Sequence, residues 1–284
     1  MLSIIGFTIV MVSVILGYVL HHGELAVLYQ PTEFLIIGGS AIGAMIASSS
    51  PTVLKGLGHE LLGVLKGSGV NREKYIQLLM CFNEIFRLAT ANPLAVEAHV
   101  ESPEKSEIFK KYPKILNDHH LMTFICNTFQ LQLAGTLSPY DLEDLMDQDI
   151  QVMHEEEGKI PATLSRLADA LPGLGIVAAV LGVVITMGKL TMGKEVIGQS
   201  VAAALVGTFL GILLCYGIFQ PLSTRVEGLI AEKGKIFQVA KVALLAYARG
   251  SKAPVILEFT RRNIPLEFRP TWKDLEEAVK TKAA

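Results

Sequence analysis

Residues 171–188 read LPGLGIVAAVLGVVITMG, and residues 200–222 read SVAAALVGTFLGILLCYGIFQPL. Both stretches lack charged side chains and are close to the roughly 20 helical residues that a bilayer core of about 30 Å requires. The whole chain is 51% hydrophobic and 18% charged, with a mean hydropathy of +0.44. Soluble proteins carry about 25% charged residues on average. The sequence therefore predicts an all-α membrane protein, with two of its spans at Leu171–Gly188 and about 200–222.

Two further apolar stretches lie near the N-terminus. Leu2–Leu20 has no charged side chain, and it is not expected to be a cleaved signal peptide because no Lys or Arg precedes it and no small-x-small site follows. The second, about Glu33–Leu54, is rich in small residues. We therefore predict four spans and four segments: 1–54 with spans 1 and 2, a helical cytoplasmic domain at 55–168, 169–222 with spans 3 and 4, and a cytoplasmic helix and tail at 223–284.

Basic residues predict the orientation in the membrane. Residues 55–168 hold 11 Lys and Arg and residues 223–284 hold 12, while the remaining two, Lys189 and Lys194, lie in the short loop 189–199. Because Lys and Arg beside spans favour the cytoplasmic side, both termini and both large segments are expected in the cytoplasm.

The large segment 55–168 has a helical pattern. Ser138-Pro-Tyr-Asp141 is typical of an N-terminal cap with proline in the first turn and an acid that closes a capping box. Another helix is expected to begin at Asn71. Apolar residues recur at helical spacing after both caps. After Ser138 they are Leu142, Leu145, Met146 and Ile150. After Asn71 they are Tyr75, Leu78, Leu79, Phe82 and Phe86.

The interiors of the four spans carry no Asp, Glu, Lys, Arg or His; Glu33 and Asp169 lie only at span edges. Intramembrane ionisable residues usually mark ion pathways. Either this chain conducts no ions, or a partner helix supplies the titrating group.

Small residues and prolines mark the spans instead. Ala203, Gly207 and Gly211 form a stripe that permits close approach of another helix, as do Gly39, Gly43 and Ala47 in span 2; packing alone explains such stripes equally well. Thr208 lies beside the first stripe, and Tyr216 lies two turns further along. A lone membrane threonine usually bonds only to its own backbone.

Two prolines lie at the ends of spans 3 and 4. Pro172 opens span 3 and is either a first-turn proline or a bend, whereas Pro221 falls inside a helix that continues. Because proline removes a backbone hydrogen bond and bends a helix, the pair suggests a hinge plane.

Several function classes lack their sequence signals. The chain has no P-loop and no GxGxxG motif after a strand. Its three cysteines have no metal-type spacing, and the near-neutral charge balance gives no sign of a nucleic-acid partner. We therefore expect neither an enzyme nor a cofactor, a metal site or bound nucleic acid.

Four motifs together resemble the A subunits of bacterial flagellar-motor stators, a family commonly called MotA. They cover nearly the whole chain in the family's order and are YQPTEFLIIGG at 29–39, ESPEKSEIFKKYPKIL at 101–116, LPGLGIVAAVLGVV at 171–184 and VGTFLGILLCYGIFQPL at 206–222. The superfamily also contains the sodium-driven PomA subunits and the ExbB and TolQ energisers. The energisers have three spans, so the four spans counted in this chain favour the stator.

This resemblance implies a pentameric ring in the bacterial inner membrane around a dimer of single-span B subunits, whose aspartate binds the ion. Ion flow would then generate torque on a FliG-type rotor protein of the switch complex. The resemblance places Thr208 and Ala179 opposite that aspartate, with Tyr216 also on the ion-pathway wall. It also matches Pro172 and Pro221 to the family's two mechanistic prolines.

The resemblance also matches Glu97 to the glutamate that contacts the rotor. Family members often place a basic residue eight positions earlier, but this chain has Ala89 there. Arg87 is the nearest substitute, about 200° away around a helix, so it is a candidate rotor residue.

The coupling ion is expected to be the proton. In sodium-driven relatives the position of Ala179 is a threonine, whose hydroxyl can join Thr208 in replacing sodium's water shell.

Three alternative functions stay open: a sodium-driven stator, an energiser of a TonB- or Tol-type transport system, and a non-conducting scaffold. A neighbouring gene for one span with a peptidoglycan-binding domain would favour the stator, and a TonB-like neighbour the energiser.

Overall fold

The computed structural model describes residues 2–189, 191 and 193–283, and the regular elements within that part of the chain are helices. Met1 and Ala284, the ends whose side of the membrane was predicted, lie outside the described residues, as do Leu190 and Met192 of the predicted loop. The chain forms two compact units. We call residues 1–67 and 156–229 the membrane unit, and residues 68–155 and 230–284 the extramembrane unit.

The N-terminal helices of the membrane unit are α1 (Leu2–Leu20), α2 (Leu25–Leu28), α3 (Pro31–Ser48) and α4 (Pro51–Lys66). The prediction for span 1 is confirmed to the residue. Span 2 ends at Ser48 and not at Leu54, so the predicted end was wrong. The reason is local: the Ser50 hydroxyl accepts the backbone N–H of Val53, and Pro51 opens a new helix.

The elements of the extramembrane unit between α4 and the third span are α5 (Arg72–Ala91), α6 (Pro93–Glu101), two 3-10 turns (Pro103–Lys105 and Phe109–Lys111), α7 (Pro113–Leu116) and α8 (His119–Leu133). Both predicted caps are present. The Asn71 side chain accepts the N–H of Lys74 at 2.9 Å. Ser138 and Asp141 cap each other's backbone N–H groups at 3.2 and 3.3 Å. The predicted apolar residues of these helices are buried, except Leu145, which is exposed.

Two long helical segments contain spans 3 and 4. Helix α9 is continuous from Pro139 to Met187, so span 3 is its last part and Pro172 is an internal proline, not a first-turn one. Span 4 consists of α10 (Lys194–Leu214) and a π-helical turn (Cys215–Phe219), and it leads without a break into α11 (Gln220–Ala248). The part of the chain that the structure describes thus contains four candidate membrane helices, as predicted.

The extramembrane unit ends with α12 (Ala253–Asn263) and α13 (Trp272–Ala283). Its core is a single large cluster rich in aromatic side chains. The membrane unit has a small core of short side chains, and α1 buries no residue at all within the chain. Exposed apolar side chains on α1, α3 and the last part of α9 are those a bilayer or a neighbouring helix would cover.

Candidate functional site

Spans 3 and 4 pack backbone against backbone at three glycines. A Cβ added at Gly211 would lie 2.6 Å from the carbonyl oxygen of Leu171 and 3.0 Å from the Cα of Gly175. One added at Gly175 would lie 2.7 Å from the carbonyl oxygen of Gly207. Since real Cβ atoms do not come so close, only glycine fits this contact. The predicted close approach at Gly207 and Gly211 is confirmed.

The remaining small residues behave differently from the expectation. The third close contact is made by Ala204 opposite Gly182, and not by Ala203. In span 2, a Cβ at Gly39 or Gly43 would meet no atom within 4 Å. The stripe of span 2 is therefore unused inside the chain and faces outward.

Thr208 and Ala179 both border the glycine contact through backbone atoms. The Cα of Thr208 lies 3.3 Å from the Cβ position of Gly175, and the backbone nitrogen of Ala179 lies 3.2 Å from the Cβ position of Gly207. The two residues that the family resemblance assigned to one site therefore lie beside the same helix contact. Both are half-buried.

The Thr208 hydroxyl differs from those of Thr8 in span 1 and Thr186 in span 3. Thr8 and Thr186 donate to the carbonyls four residues earlier, at 2.9 and 2.8 Å. Thr208 makes no hydrogen bond to any residue that the structure describes. The expectation that it only satisfies its own backbone is therefore wrong, and its hydroxyl is available to an ion, water or partner.

Tyr216 lies away from this contact. It is eight residues from Thr208, about 12 Å along the helix axis, and its side chain is 69% exposed. It belongs to the π-helical turn at 215–219. The structure gives Tyr216 a surface position on span 4 but does not bring it to Thr208.

The prolines lie inside continuing helices but at different levels. Leu171, next to Pro172, packs against Gly211, which is ten residues or about 15 Å before Pro221, so the predicted single hinge plane is wrong. The π-helical turn directly precedes Pro221, and single π turns inside α-helices are frequent at functional sites. Two residues after Pro221, the buried Ser223 hydroxyl donates to the carbonyl of Pro161 in α9 at 2.8 Å. Sequence reasoning missed Pro161 and this hydrogen bond, because a pair 62 residues apart leaves no local signal.

Sequence reasoning also underrated Glu33. It lies in the first turn of α3, yet it is only 7% exposed, and its Oε2 has no hydrogen-bond partner among the described residues. This oxygen lies 2.7 Å from the position that a Cβ of Gly207 would take. A carboxyl group therefore lies against the contact that holds Ala179 and Thr208.

The extramembrane candidates lie on neighbouring helices. Glu97 is exposed on α6, and Arg87 is exposed on α5, where it lines a cleft of about 880 Å³. Ala89 is only 1% exposed and packs into the core. A basic side chain at position 89 would therefore be buried in this chain and could not reach the rotor. Arg87, on another face of α5, is exposed.

No group of three His, Cys, Asp or Glu side chains able to hold a metal ion occurs in the described ranges. The three cysteines, all within the described residues, are buried and form no disulfide, and burial raises the pKa of the Cys126 thiol to about 12. A thiol with so high a pKa is a poor nucleophile. The chemistry of the site thus consists of a hydroxyl, a carboxyl and a wall of small side chains.

Known proteins match this chain over its whole length. The family described as "Motility protein A N-terminal" matches residues 4–93, and the "MotA/TolQ/ExbB proton channel family" matches residues 117–238. Motility protein A of Salmonella typhimurium is 36% identical over 282 residues, which cover 99% of this chain and 95% of the relative. Chemotaxis protein LafT of Vibrio parahaemolyticus is 35% identical over 98% of both chains.

Two solved structures share the fold. The MotAB structure of C. jejuni superimposes with a TM-score of 0.75 at 20% identity, covering 95% of this chain and 98% of that one. The flagellar MotAB stator complex of Bacillus subtilis gives 0.70 at 23% identity, covering 97% of this chain and 98% of that one.

Proposed function

We infer that this chain, which belongs to the motility protein A family, is a flagellar stator subunit of a proton-channel complex with a MotB-type partner. The carrying observation is the 36% identity to a motility protein A over 99% of the chain. The channel-family match at 117–238 is shared with the TolQ and ExbB energisers, but residues 4–93 match the motility-specific N-terminal family. This second match favours the stator over the energiser. The relatives are channel and stator proteins, and the chain is not an enzyme.

The ion-pathway wall is formed by Thr208 and Ala179, opposite the aspartate of the single-span B subunit. Three observations support this assignment: both residues border one helix contact, the Thr208 hydroxyl has no hydrogen-bond partner within the described residues, and the apolar centre of spans 3 and 4 has no ionisable side chain. Tyr216 forms an outer part of the same wall.

The proton is the coupling ion. Sodium needs several oxygen ligands to repay its dehydration, and Ala179 offers only a methyl group where a hydroxyl would be needed; an unmet ionic demand in such a site costs several kcal/mol. A carboxylate accepts a proton without any cage. The experiment is to express the chain with its B subunit and measure swimming speed against sodium concentration, at constant ionic strength and proton-motive force.

We expect the speed to be independent of sodium. A speed that falls to zero as sodium is removed would assign a sodium-driven stator. Complete failure to swim, with both subunits present in the membrane, would contradict the stator function itself. Replacing Thr208 by Val, which keeps the shape and removes the hydroxyl, tests the wall: speed should fall while the amount of complex is unchanged.

The complex is a ring of five A subunits around a B dimer. The outward-facing Gly39 and Gly43 support contacts to a neighbouring helix, since small residues let helices approach closely. Native mass and thermal stability should be compared for the chain purified alone and with the B subunit. A monodisperse A-only complex of the same copy number and stability would contradict the requirement for B.

Pro172 and Pro221 are two hinges, at different levels, through which ion binding moves the chain. Their support is that both lie inside continuing helices, and that a π turn directly precedes Pro221. The hydrogen bond from Ser223 to Pro161 links the same two helical segments at the level of Pro221.

Glu97 is the rotor contact, directed at a FliG-type switch-complex protein, and Arg87 adds the positive charge absent at Ala89. The exposed position of Glu97 on α6 supports a role by charge. Glu97→Lys is expected to impair swimming at normal membrane levels of the protein. Glu101→Lys, an exposed glutamate of the same helix, is the control and should impair it less. A Glu97→Lys protein that disappears from the membrane would make Glu97 structural.

The chain is a multi-pass protein of the inner membrane. We propose that both termini lie in the cytoplasm. The basic residues Lys55, Arg166 and Arg225, which lie beside the spans, support this orientation. Reporter fusions at each end would test it.

A further inference from the structure

The membrane unit holds a buried carboxyl group that the wall residues do not explain. Glu33 is 93% buried within the chain, and its Oε2 has neither exposure nor a hydrogen-bond partner among the described residues. Transfer of an ionised carboxylate into an apolar site without a partner is so costly that such a group is neutralised instead. A group in that state is poised to bind and release a proton.

The surroundings of Glu33 are backbone and methyl groups. The Cβ position of Gly207 lies 2.7 Å from Oε2 of Glu33, 3.1 Å from the Cβ of Ala178 and 3.2 Å from the nitrogen of Ala179. The carboxyl group thus occupies the volume that the side chain of Gly207 leaves empty. The next residue, Thr208, carries the free hydroxyl.

The depth of Glu33 follows from the helices. Its Oε2 and the Cβ of Ala178 both border the Cβ position of Gly207, and Ala178 lies seven residues after Leu171 and nine before Met187, about 10 and 13 Å along span 3. The carboxyl group is therefore near the middle of the uncharged part of span 3. Glu33 lies in the first turn of α3, but spans 3 and 4 extend beyond the start of that helix.

The neighbourhood offers no compensating charge. The sequence has no Lys, Arg, His, Asp or second Glu in 34–48, 171–187 or 201–219, the parts of the spans that surround this level. Ionisable residues inside membranes are expensive and usually mark proton or ion paths. A purely structural role would be served as well by an apolar side chain.

We propose that Glu33 is a second proton-exchange site, on this chain itself, beside Thr208 and Ala179. In its resting, neutral form Glu33 gives up its proton: the O–H bond on Glu33 breaks as an O–H bond forms on the carboxylate of the B subunit. The carboxylate left on Glu33 then takes a proton from a hydronium ion, whose O–H bond breaks to leave water, and Glu33 returns to its neutral form without any redox change. The transfer to the B carboxylate rests on the proposed stator function.

The test uses the complete complex with the B subunit, reconstituted in vesicles, with proton flux measured under an imposed potential. Glu33→Gln keeps the size and polarity of the side chain but cannot exchange a proton, and should lower the flux roughly tenfold or more. Glu33→Asp keeps the proton-binding group and should retain most of it. Glu195→Gln, at an exposed first-turn glutamate of α10, is the matched control and should leave it unchanged.

The two variants separate proton exchange from packing. Normal flux in Glu33→Gln overturns the proposal, and loss in Glu33→Asp with retention in Glu33→Gln assigns a packing role instead. If Glu33→Gln does not assemble, infrared difference spectra of the wild-type and Glu33→Asp complexes decide: a carboxyl carbonyl band that titrates and shifts between them supports the proposal, and its absence overturns it. A wild-type complex that passes no protons would instead refute the proposed function.

Discussion

The two units of the molecule are both helical, but different side chains hold them together. In the extramembrane unit, Phe86 stacks on Phe82 and Tyr247 with ring centroids 5.2 and 4.7 Å apart. In the membrane unit the closest contacts are between glycine backbones of spans 3 and 4. Water drives large apolar side chains together, whereas lipid tails are as apolar as leucine, and helices in lipid gain from close packing. The environment of each unit explains its contacts.

Charges are also used differently. The extramembrane unit pairs its buried Lys74 with Asp118 at 2.8 Å and joins α9 to α11 through Lys241 and Asp147 at 2.5 Å. In the membrane unit the buried carboxyl of Glu33 has no partner within the described residues. Paired charges serve structure, and an unpaired one in an apolar site is a candidate for function.

The largest effect is expected from a truncation in the aromatic core. Phe86 is 1% exposed and contacts three other rings. Phe86→Ala should lower the free energy of unfolding of the extramembrane unit by about 3–5 kcal/mol, from lost burial and the cavity left behind. Thermal unfolding of the purified complex, followed by a probe in this unit, measures it.

The matched control is Phe259→Ala, because that ring is exposed on α12. It should change stability by less than about 0.5 kcal/mol. Equal losses in the two variants would break the comparison, since the aromatic cluster would then not be what stabilises this unit.

A smaller loss is expected from one methyl group in the membrane unit. Gly211→Ala places a Cβ 2.6 Å from the carbonyl oxygen of Leu171, and overpacking of this kind costs about 1–3 kcal/mol. Spans 3 and 4 must separate to accept it, so the yield of complex and the swimming speed should both fall.

Gly6→Ala is the control for this change, because a Cβ at Gly6 in α1 meets no atom within 4 Å. Its complex should form normally. If Gly211→Ala were as well tolerated as Gly6→Ala, glycine contacts would not hold the membrane unit together.

Sequence patterns predicted those features of the fold that depend on residues close together in the chain. The caps at Asn71 and Ser138, the exact span Leu2–Leu20 and the proline inside a continuing helix at Pro221 follow from residues near one another in the chain. The end of span 2 was misplaced because apolar composition continues past Ser50, while a hydroxyl cap and Pro51 stop the helix.

Contacts between residues far apart in the chain could not be predicted from sequence patterns. Glu33 was assigned to a span edge because it lies in a first turn, and only the packing of α3 on α10 places it against Gly207. No local pattern indicates that Ala89 is buried; its burial results from the packing of α5 in the core. Ala179 and Thr208, 29 residues apart, were paired only through family resemblance, and in the structure both lie beside the same helix contact.

The smallest effect is expected from an ion pair near the surface of the extramembrane unit. Hydrogen bonds from Arg261 and Arg262, at 2.8 and 2.6 Å, lower the pKa of Glu258 to about 2. An unfolded glutamate titrates near pH 4.3. Because the folded pKa is the lower one, this stabilisation is present in full above that value and is lost as the pH falls toward 2.

Glu258→Gln should therefore lower the unfolding midpoint at pH 7 by more than near pH 2.5, and the loss should stay below about 1 kcal/mol because the group is partly exposed. Glu107→Gln, whose partner Lys110 is half exposed, is the control and should show no difference at either pH. A Glu258→Gln deficit that is the same at both pH values would mean that packing of the side chain, and not its charge, stabilises α12. The contrast in how the two units use charge would then narrow to the pairs that Lys74 and Lys241 make.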